Sequence, residues 1–366
     1  MNSSCKSCSQ GKVNVIGAGV IGLTTALLLR QKGYSVTIIA NHFPGDSDIE
    51  YTSPCAGARW RTVAPNSDLR LQHYDAVSFK TFWELAKSHA AETGIMIVSA
   101  YDYYEHVTDD TKNPWFKGLV PTFQFIDKSE LPKDIAIGYH YATVLVNPLV
   151  YLPWLLKQYL LLGGKHRRQK INCISEAMDD DIDIVVNCTG VGARDLEGVN
   201  DKTVVPVRGQ NVLIKAPHVR KAVYINTSKG CTYIIPRSDG TVVLGTTRDE
   251  GNCDPNVNSE VTQEILQRAY KYCPDLSLQR KGVQDLKVIK NIVGLRPSRA
   301  GGPVLKNQYY NSPSGKQTLI THNYGHGGAG YQSSWGTAQE AVRLVYEGHS
   351  VIKNKSNSIR VLLSRL

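Results

Sequence analysis

A chain of 366 residues, 42% hydrophobic and 20% charged, is long enough for about two folded domains and has the balance of a soluble globular protein. Its net charge of +10, from 42 basic and 32 acidic residues, is scattered except at Lys165-His166-Arg167-Arg168, and no basic stripe alternates with aromatics, so nucleic acid is not an expected partner. No apolar run reaches the ~18 residues of a membrane span, and the polar start MNSSCKSCSQG has no signal-peptide core. Only Cys5 and Cys8 of the eight cysteines have ligand spacing, and no second pair completes a zinc site, so no metal is expected.

Residues 13–22, VNVIGAGVIG, carry an apolar strand into Gly17-Ala18-Gly19-Val20-Ile21-Gly22, and a helix-forming stretch, LTTALLLRQKG, follows. That order suits a dinucleotide pyrophosphate. Gly17 permits the tight turn, Gly19 lets the backbone approach the phosphates, and Gly22 lets helix and strand pack closely, with the helix N-terminus facing the anion. Gly33 reads as the helix stop before a second strand over 34–40. Just after that strand, where an acidic residue commonly holds the adenosine ribose, stand Asn41 and His42. An amide oxygen accepts one hydroxyl bond but lacks the carboxylate's charge.

A loop over 52–60 precedes a helix over about 65–92, with Leu71, Val77, Phe82 and Leu85 at helical spacing. Residues 94–140 read as short β-rich runs among polar loops, 148–162 as a helix, and DIDIVVNCTG at 181–190 as a buried parallel strand ending in a tight turn. Alternating runs over 204–248 predict antiparallel strands, with 233–237 and 241–247 forming a hairpin around Asp239-Gly240. If the turn holds two residues, Tyr233 faces Thr246 and Arg248 falls on Tyr233's face; a one-residue slip reverses this. A helix over 258–273, a strand over 315–321, the glycine loop at 325–330 and a helix from about 333 to 347, stopped by Gly348, follow. Nucleotide-type signals at the beginning, middle and end predict an α/β fold. Its Rossmann-like dinucleotide-binding domain is discontinuous (1–60, 142–205 and 290–366), with an inserted antiparallel β-rich substrate domain (61–141 and 206–289).

Three features favour FAD over NAD as the dinucleotide. They are the VVNCTG turn at Thr189-Gly190, the glycine loop before a helix whose N-terminus can stabilise negative charge on a reduced flavin, and the lack of a separate nicotinamide-side catalytic set. With PVRGQ at 206–210, YIIPR at 233–237, VGLRP at 293–297 and HNYGHGGAGYQSSWG at 322–336, the chain resembles the D-amino-acid oxidase family, most narrowly its D-aspartate oxidase branch. The resemblance implies FAD, held by the 17–22 turn, Asn41, His42, Thr52, Ser53, Gly57, Ala58, Thr189, Gly190, and the run Gly327-Gly328-Ala329-Gly330-Tyr331-Gln332. It also implies oxidative deamination of a D-amino acid by hydride transfer from Cα to flavin N5, with oxygen as acceptor and hydrogen peroxide as product. A homodimer is left open. Ser364-Arg365-Leu366 follow the small–basic–Leu pattern read by the peroxisomal import receptor, which agrees with a peroxide-forming reaction.

In this resemblance Arg296 matches the guanidinium that grips the substrate α-carboxylate, a task suited to its forked donors, and Tyr233 shares that carboxylate. Gln332 is the candidate for contact with the substrate amine. Arg248 looks like the aspartate-oxidase version of its strand, an extra cation for an acidic side chain, and Arg59 is a second candidate for that carboxylate. A charge-assisted bond at this point is worth about 1.5–3 kcal/mol of preference. A solvent-facing Arg248 fits instead a broad oxidase of neutral D-amino acids. Glycine or sarcosine oxidation, and flavin binding without turnover, are more distant readings. His326, set among glycines, reads equally as structural or catalytic.

Overall fold

The structure, a computed structural model, describes residues 10–311 and 316–363. Cys5, Cys8 and Ser364-Arg365-Leu366 lie outside the described residues. In chain order, β1 (Lys12–Ile16), α1 (Val20–Gln31) and β2 (Ser35–Ala40) are followed by α2 (Leu69–Ser88), α3 (Ala90–Thr93) and β3 (Ile95–Tyr104). Next come α4 (Asp109–Lys112), β4 (Gln124–Phe125), β5 (Ile137–Val146), α5 (Pro148–Leu161), β6 (Lys165–Arg168) and β7 (Ile184–Asn187). The second half holds β8 (Val204–Lys215), β9 (Ala222–Thr227), β10 (Gly230–Pro236), β11 (Thr241–Gly245), β12 (Asp249–Glu250) and α6 (Ser259–Tyr272). It closes with β13 (Lys287–Arg299), β14 (Val304–Asn311), β15 (Gln317–Tyr324) and α7 (Gly330–Leu363).

These strands build two sheets. The first has six strands in the order β14-β15-β7-β1-β2-β6, all parallel except β14 against β15. Val13, Val15, Ile184 and Val186 are fully buried, as expected of central parallel strands covered on both faces. Helix α1 packs on this sheet through Leu23, Ala26 and Leu29, and its C-terminal glycine is Gly33, at φ +86°. The second sheet has nine strands and is antiparallel apart from the β3–β9 pair. Where short runs and loops were expected, β3 and β5 form ten-residue strands in unbroken register from Ile95↔Val146 to Tyr104↔Ile137. β8 pairs along nearly its whole length with β13. One face of this sheet packs Val212, Val223, Ile234 and Leu244 against Ile265, Leu266 and Ala269 of α6. The other face looks into a cavity beside the first sheet's glycine turn.

Two expectations need correction. Gly348 does not stop the last helix: α7 runs on to Leu363. Without a Cβ, Gly348 lets α7 settle against β14 and β15, where a methyl group would meet Asn307 and Leu319 at 2.7–2.9 Å. The hairpin turn is longer by one residue. Arg237 N donates to Thr241 O at 2.8 Å, Gly240 takes φ +76°, and Asp239 Oδ1 accepts from both the Thr241 amide and hydroxyl. The register is therefore Tyr233↔Gly245, not Tyr233↔Thr246, and the strand ends at Gly245.

Candidate active site

A cavity of about 570 Å³ extends from the glycine turn after β1 to the exposed end of the second sheet. Gly17, Ala18, Gly19, Val20 and Ile21 line it; Gly22 does not. A Cβ on Gly22 would sit 1.9 Å from Gly17 O, so this glycine serves the close approach of α1 to the turn. Gly17, at φ +105°, lies against the backbone of Cys188, where a Cβ would come within 2.5 Å of the carbonyl oxygen. Val20 N donates to Ser53 Oγ at 3.0 Å, and no acidic residue occupies the first turn of α1. The helix end is thus a glycine cradle with a positive dipole, which fits the pyrophosphate of FAD.

Other expected cofactor residues line the same cavity: Asn41, His42, Thr52, Ser53, Gly57 and Ala58 from the first third of the chain, and Thr189 and Gly190 after β7. The Asn41 amide is 2.8 Å from the His42 ring, and Glu50 also lines the cavity. Asn187 Oδ1 accepts from Thr189 N and Oγ1, which shapes the second loop. Gly327, Gly328, Ala329, Gly330, Tyr331 and Gln332 bring the N-terminus of α7 to the same space. Residues on this loop and helix start could hold the flavin ring.

The reactive end is organised by one row of paired positions. Across β5, β3, β9, β10, β11 and β8 the register aligns Tyr139, Asp102, Tyr224, Tyr233, Gly245 and Asn211, so all share a sheet face. Tyr233 OH donates to Asn211 Oδ1 at 2.6 Å, and its ring lies over Gly245, where a Cβ would come within 2.3 Å. Arg296 reaches the same face from β13 and crosses Gly209, where a Cβ would meet the guanidinium at 2.4–2.6 Å. Its Nη1 donates to Thr247 O at 3.1 Å and its Nη2 to Thr246 Oγ1 at 2.7 Å. These two bonds fix the fork while each Nη keeps a second N–H. Arg296 and Tyr233 are both half-buried in the cavity wall.

The remaining cations occupy different settings. Arg59, whose side chain is 4% exposed, has Nη2 in ion contact with Asp102 Oδ1 at 2.7 Å and donates to the Tyr141 hydroxyl at 2.7 Å. Its Nε and Nη1 are buried without a partner. Arg248 lines the cavity, but from the irregular segment after β11 rather than as a strand neighbour of Tyr233, and it is exposed. Sequence reasoning missed Arg61, whose guanidinium carbon lies 3.6 Å from the Tyr224 ring centroid; both residues line the cavity. Only the register, which sets Tyr224 beside Tyr233, reveals that pairing.

Gln332 is buried, and its Nε2 donates to Asp75 Oδ2 at 2.9 Å. The same oxygen accepts from Thr62 Oγ1 at 2.7 Å. Burial pushes the Asp75 carboxyl up to about 7, against the lowering effect of these two bonds. Asp75 joins three segments, and as one polar position in α2 it carried no sequence signal. His326 lines the cavity and contacts Thr337 Oγ1 at 3.2 Å; burial pushes its pKa down to about 3, so it is neutral and fits a structural role.

Residues 12–344 match the family model described as FAD dependent oxidoreductase, DAO. The chain is 34% identical over 363 residues to a D-amino-acid oxidase of Fusarium vanettenii, covering 93% of this chain and 98% of that protein. It is 33% identical over 387 residues to a D-aspartate oxidase of Cryptococcus neoformans var. grubii, covering 92% and 97%. Among solved structures, glycine oxidase from Geobacillus kaustophilus superposes with a TM-score of 0.70 at 18% identity, covering 92% of this chain and 95% of that one; the likeness is one of fold.

Proposed function

Because the chain belongs to the DAO family of FAD-dependent oxidoreductases, we propose that it oxidises an acidic D-amino acid, D-aspartate in the first place, to its imino acid. The imino acid then hydrolyses to oxaloacetate and ammonia. The observation that supports an acidic substrate is the surplus of cationic residues on one cavity: beyond Arg296, Arg59, Arg61 and Arg248 line it, and of these only Arg59 has an ion pair among the described residues. When bound, FAD supplies the hydride acceptor and passes the electron pair to oxygen, which leaves as hydrogen peroxide.

The protein's share is to hold the substrate in register. Arg296, oriented by Thr246 and Thr247, offers its two remaining N–H groups to the α-carboxylate. Tyr233 can turn its hydroxyl proton from Asn211 to the same carboxylate. With its Nε2 committed to Asp75, Gln332 keeps Oε1 as the acceptor for the substrate amine. The sheet face and the 56–63 segment wall the substrate on either side.

The exposure of Arg248 favours a second reading, a broad oxidase of neutral D-amino acids. Peroxide release from the FAD-loaded protein with D-aspartate, D-alanine and L-aspartate, beside an Arg248→Ala variant, separates the two. The acidic reading expects D-aspartate to dominate and the variant to lose part of that preference. Dominance of D-alanine with an unaffected variant replaces it by the neutral reading. Silence with every substrate, and no anaerobic bleaching of the flavin, removes both.

A further inference from the structure

The three cations around the side-chain end of the cavity are not equivalent. Arg59 already has its counterion: Asp102, fully buried, contacts its guanidinium, and the Tyr141 hydroxyl closes the triangle by donating to Asp102 Oδ2 at 2.9 Å. Residues 58 and 60 pair their backbones with Val146 and Val144 of β5, so this triangle pins an extended segment to the sheet. Arg248 stands exposed at the rim, where water screens its charge. Arg61 differs from both. It lies two residues beyond Arg59 along the pinned segment and is half-buried. Its guanidinium sits on the Tyr224 ring, with no hydrogen bond and no ion pair among the described residues.

Stacking on an aromatic ring uses the flat face of a guanidinium and leaves its in-plane N–H donors unclaimed. Tyr224 is directly opposite Tyr233, so the residue that carries this cation is set about one strand spacing, ~5 Å, from the tyrosine that shares the α-carboxylate. We propose that Arg61, seated on Tyr224, is the receptor for the side-chain carboxylate, and that Arg59 with Asp102 and Tyr141 is a positioning unit that holds the segment carrying it. This rests on the acidic-substrate reading above and names the residue that would produce it. A partly desolvated cation that shares Asp102 only at a distance and makes no ion pair is completed by a substrate that brings a carboxylate, whereas a neutral side chain leaves it unpaired.

The test compares the FAD-loaded wild type with Arg61→Gln, Arg61→Lys and Arg59→Gln, each first checked for flavin content. Two readouts are taken: steady-state kcat and KM for D-aspartate and D-alanine, and the dissociation constants of succinate and propionate from perturbation of the flavin absorption spectrum. For Arg61→Gln the ratio of kcat/KM for D-aspartate to that for D-alanine is expected to fall about 10- to 100-fold, mainly through KM, and succinate to weaken by a similar factor relative to propionate. Arg61→Lys, which keeps the charge without the planar stack, should recover part of both. Arg59→Gln should impair D-aspartate and D-alanine alike. If Arg61→Gln keeps the wild-type ratio and the wild-type succinate affinity, Arg61 is not the receptor. If the wild type itself favours D-alanine, the acidic-substrate reading fails first, and the two failures are told apart by the unmutated enzyme.

Discussion

Replacing Asp75 by Asn tests whether a carboxyl buried between the cavity wall and α2 is neutral in the folded protein. Asp75 is 2% exposed, and both of its donors, Thr62 Oγ1 and Gln332 Nε2, reach the same oxygen. An asparagine can keep that acceptor in place and put its amide where a carboxyl proton would sit. The folded carboxyl titrates at about 7 instead of 3.8, raised first by burial. The folded state therefore holds a proton that the unfolded chain has released, and stability is lost as pH rises from about 4 to 7, then levels off. Asparagine does not titrate. From about pH 5.5 to pH 8 the Asp75→Asn protein should gain on the wild type by about 2 kcal/mol, a few degrees in melting temperature. The assay is the thermal midpoint of both FAD-loaded proteins at half-unit pH steps, taken as a difference so that other titrating groups cancel. A difference constant across this range would show that Asp75 is ionised throughout and refute the reasoning.

Other outcomes follow from the same geometry. Arg296→Lys replaces the fork that crosses Gly209 by a point charge, and kcat/KM with any D-amino acid should fall at least about 100-fold in steady-state assays. Gly22→Ala places a methyl group 1.9 Å from Gly17 O, so the purified protein should lack most of its flavin absorbance near the visible maximum. Gly336→Ala pushes a Cβ within 2.4 Å of the Tyr74 backbone where α7 crosses α2, and should cost about 1–3 kcal/mol, seen as a lower melting temperature in calorimetry. Tyr233→Phe removes the hydroxyl that reaches Asn211 and should lower kcat/KM roughly tenfold.

The nucleotide half of the site was legible because a pyrophosphate imposes its demands on consecutive residues: the strand, Gly17, Gly19 and the start of α1 are contiguous, and the structure brings them to one cavity. Gly348 was misread since a glycine can end a helix or admit a neighbour, and only the contact with Leu319 and Asn307 decides between them. The hairpin slip had a local cause, Asp239 capping Thr241, which lengthens an Asp-Gly turn by one residue. Arg61 and Asp75 were not legible at all. Their significance comes from Tyr224 and Gln332, partners distant in sequence that only tertiary pairing supplies.

Along β8 to β11 the cavity and the α6 core are separated by a single step of the chain. Asn211 faces the substrate side and Val212 the helix; Tyr233 is followed by Ile234, and Gly245 is preceded by Leu244. Specificity and cohesion are thus written in alternate letters of the same strands. Point substitutions at the cavity-facing positions can retune what the cavity accepts while the alternate positions hold the sheet to its helix. Insertion or deletion of one residue in these strands would exchange the two registers, sending Val and Ile into the cavity and Asn and Tyr into the core. New substrate preferences should accordingly be reached by replacement in the strands, with length changes confined to the turns between them.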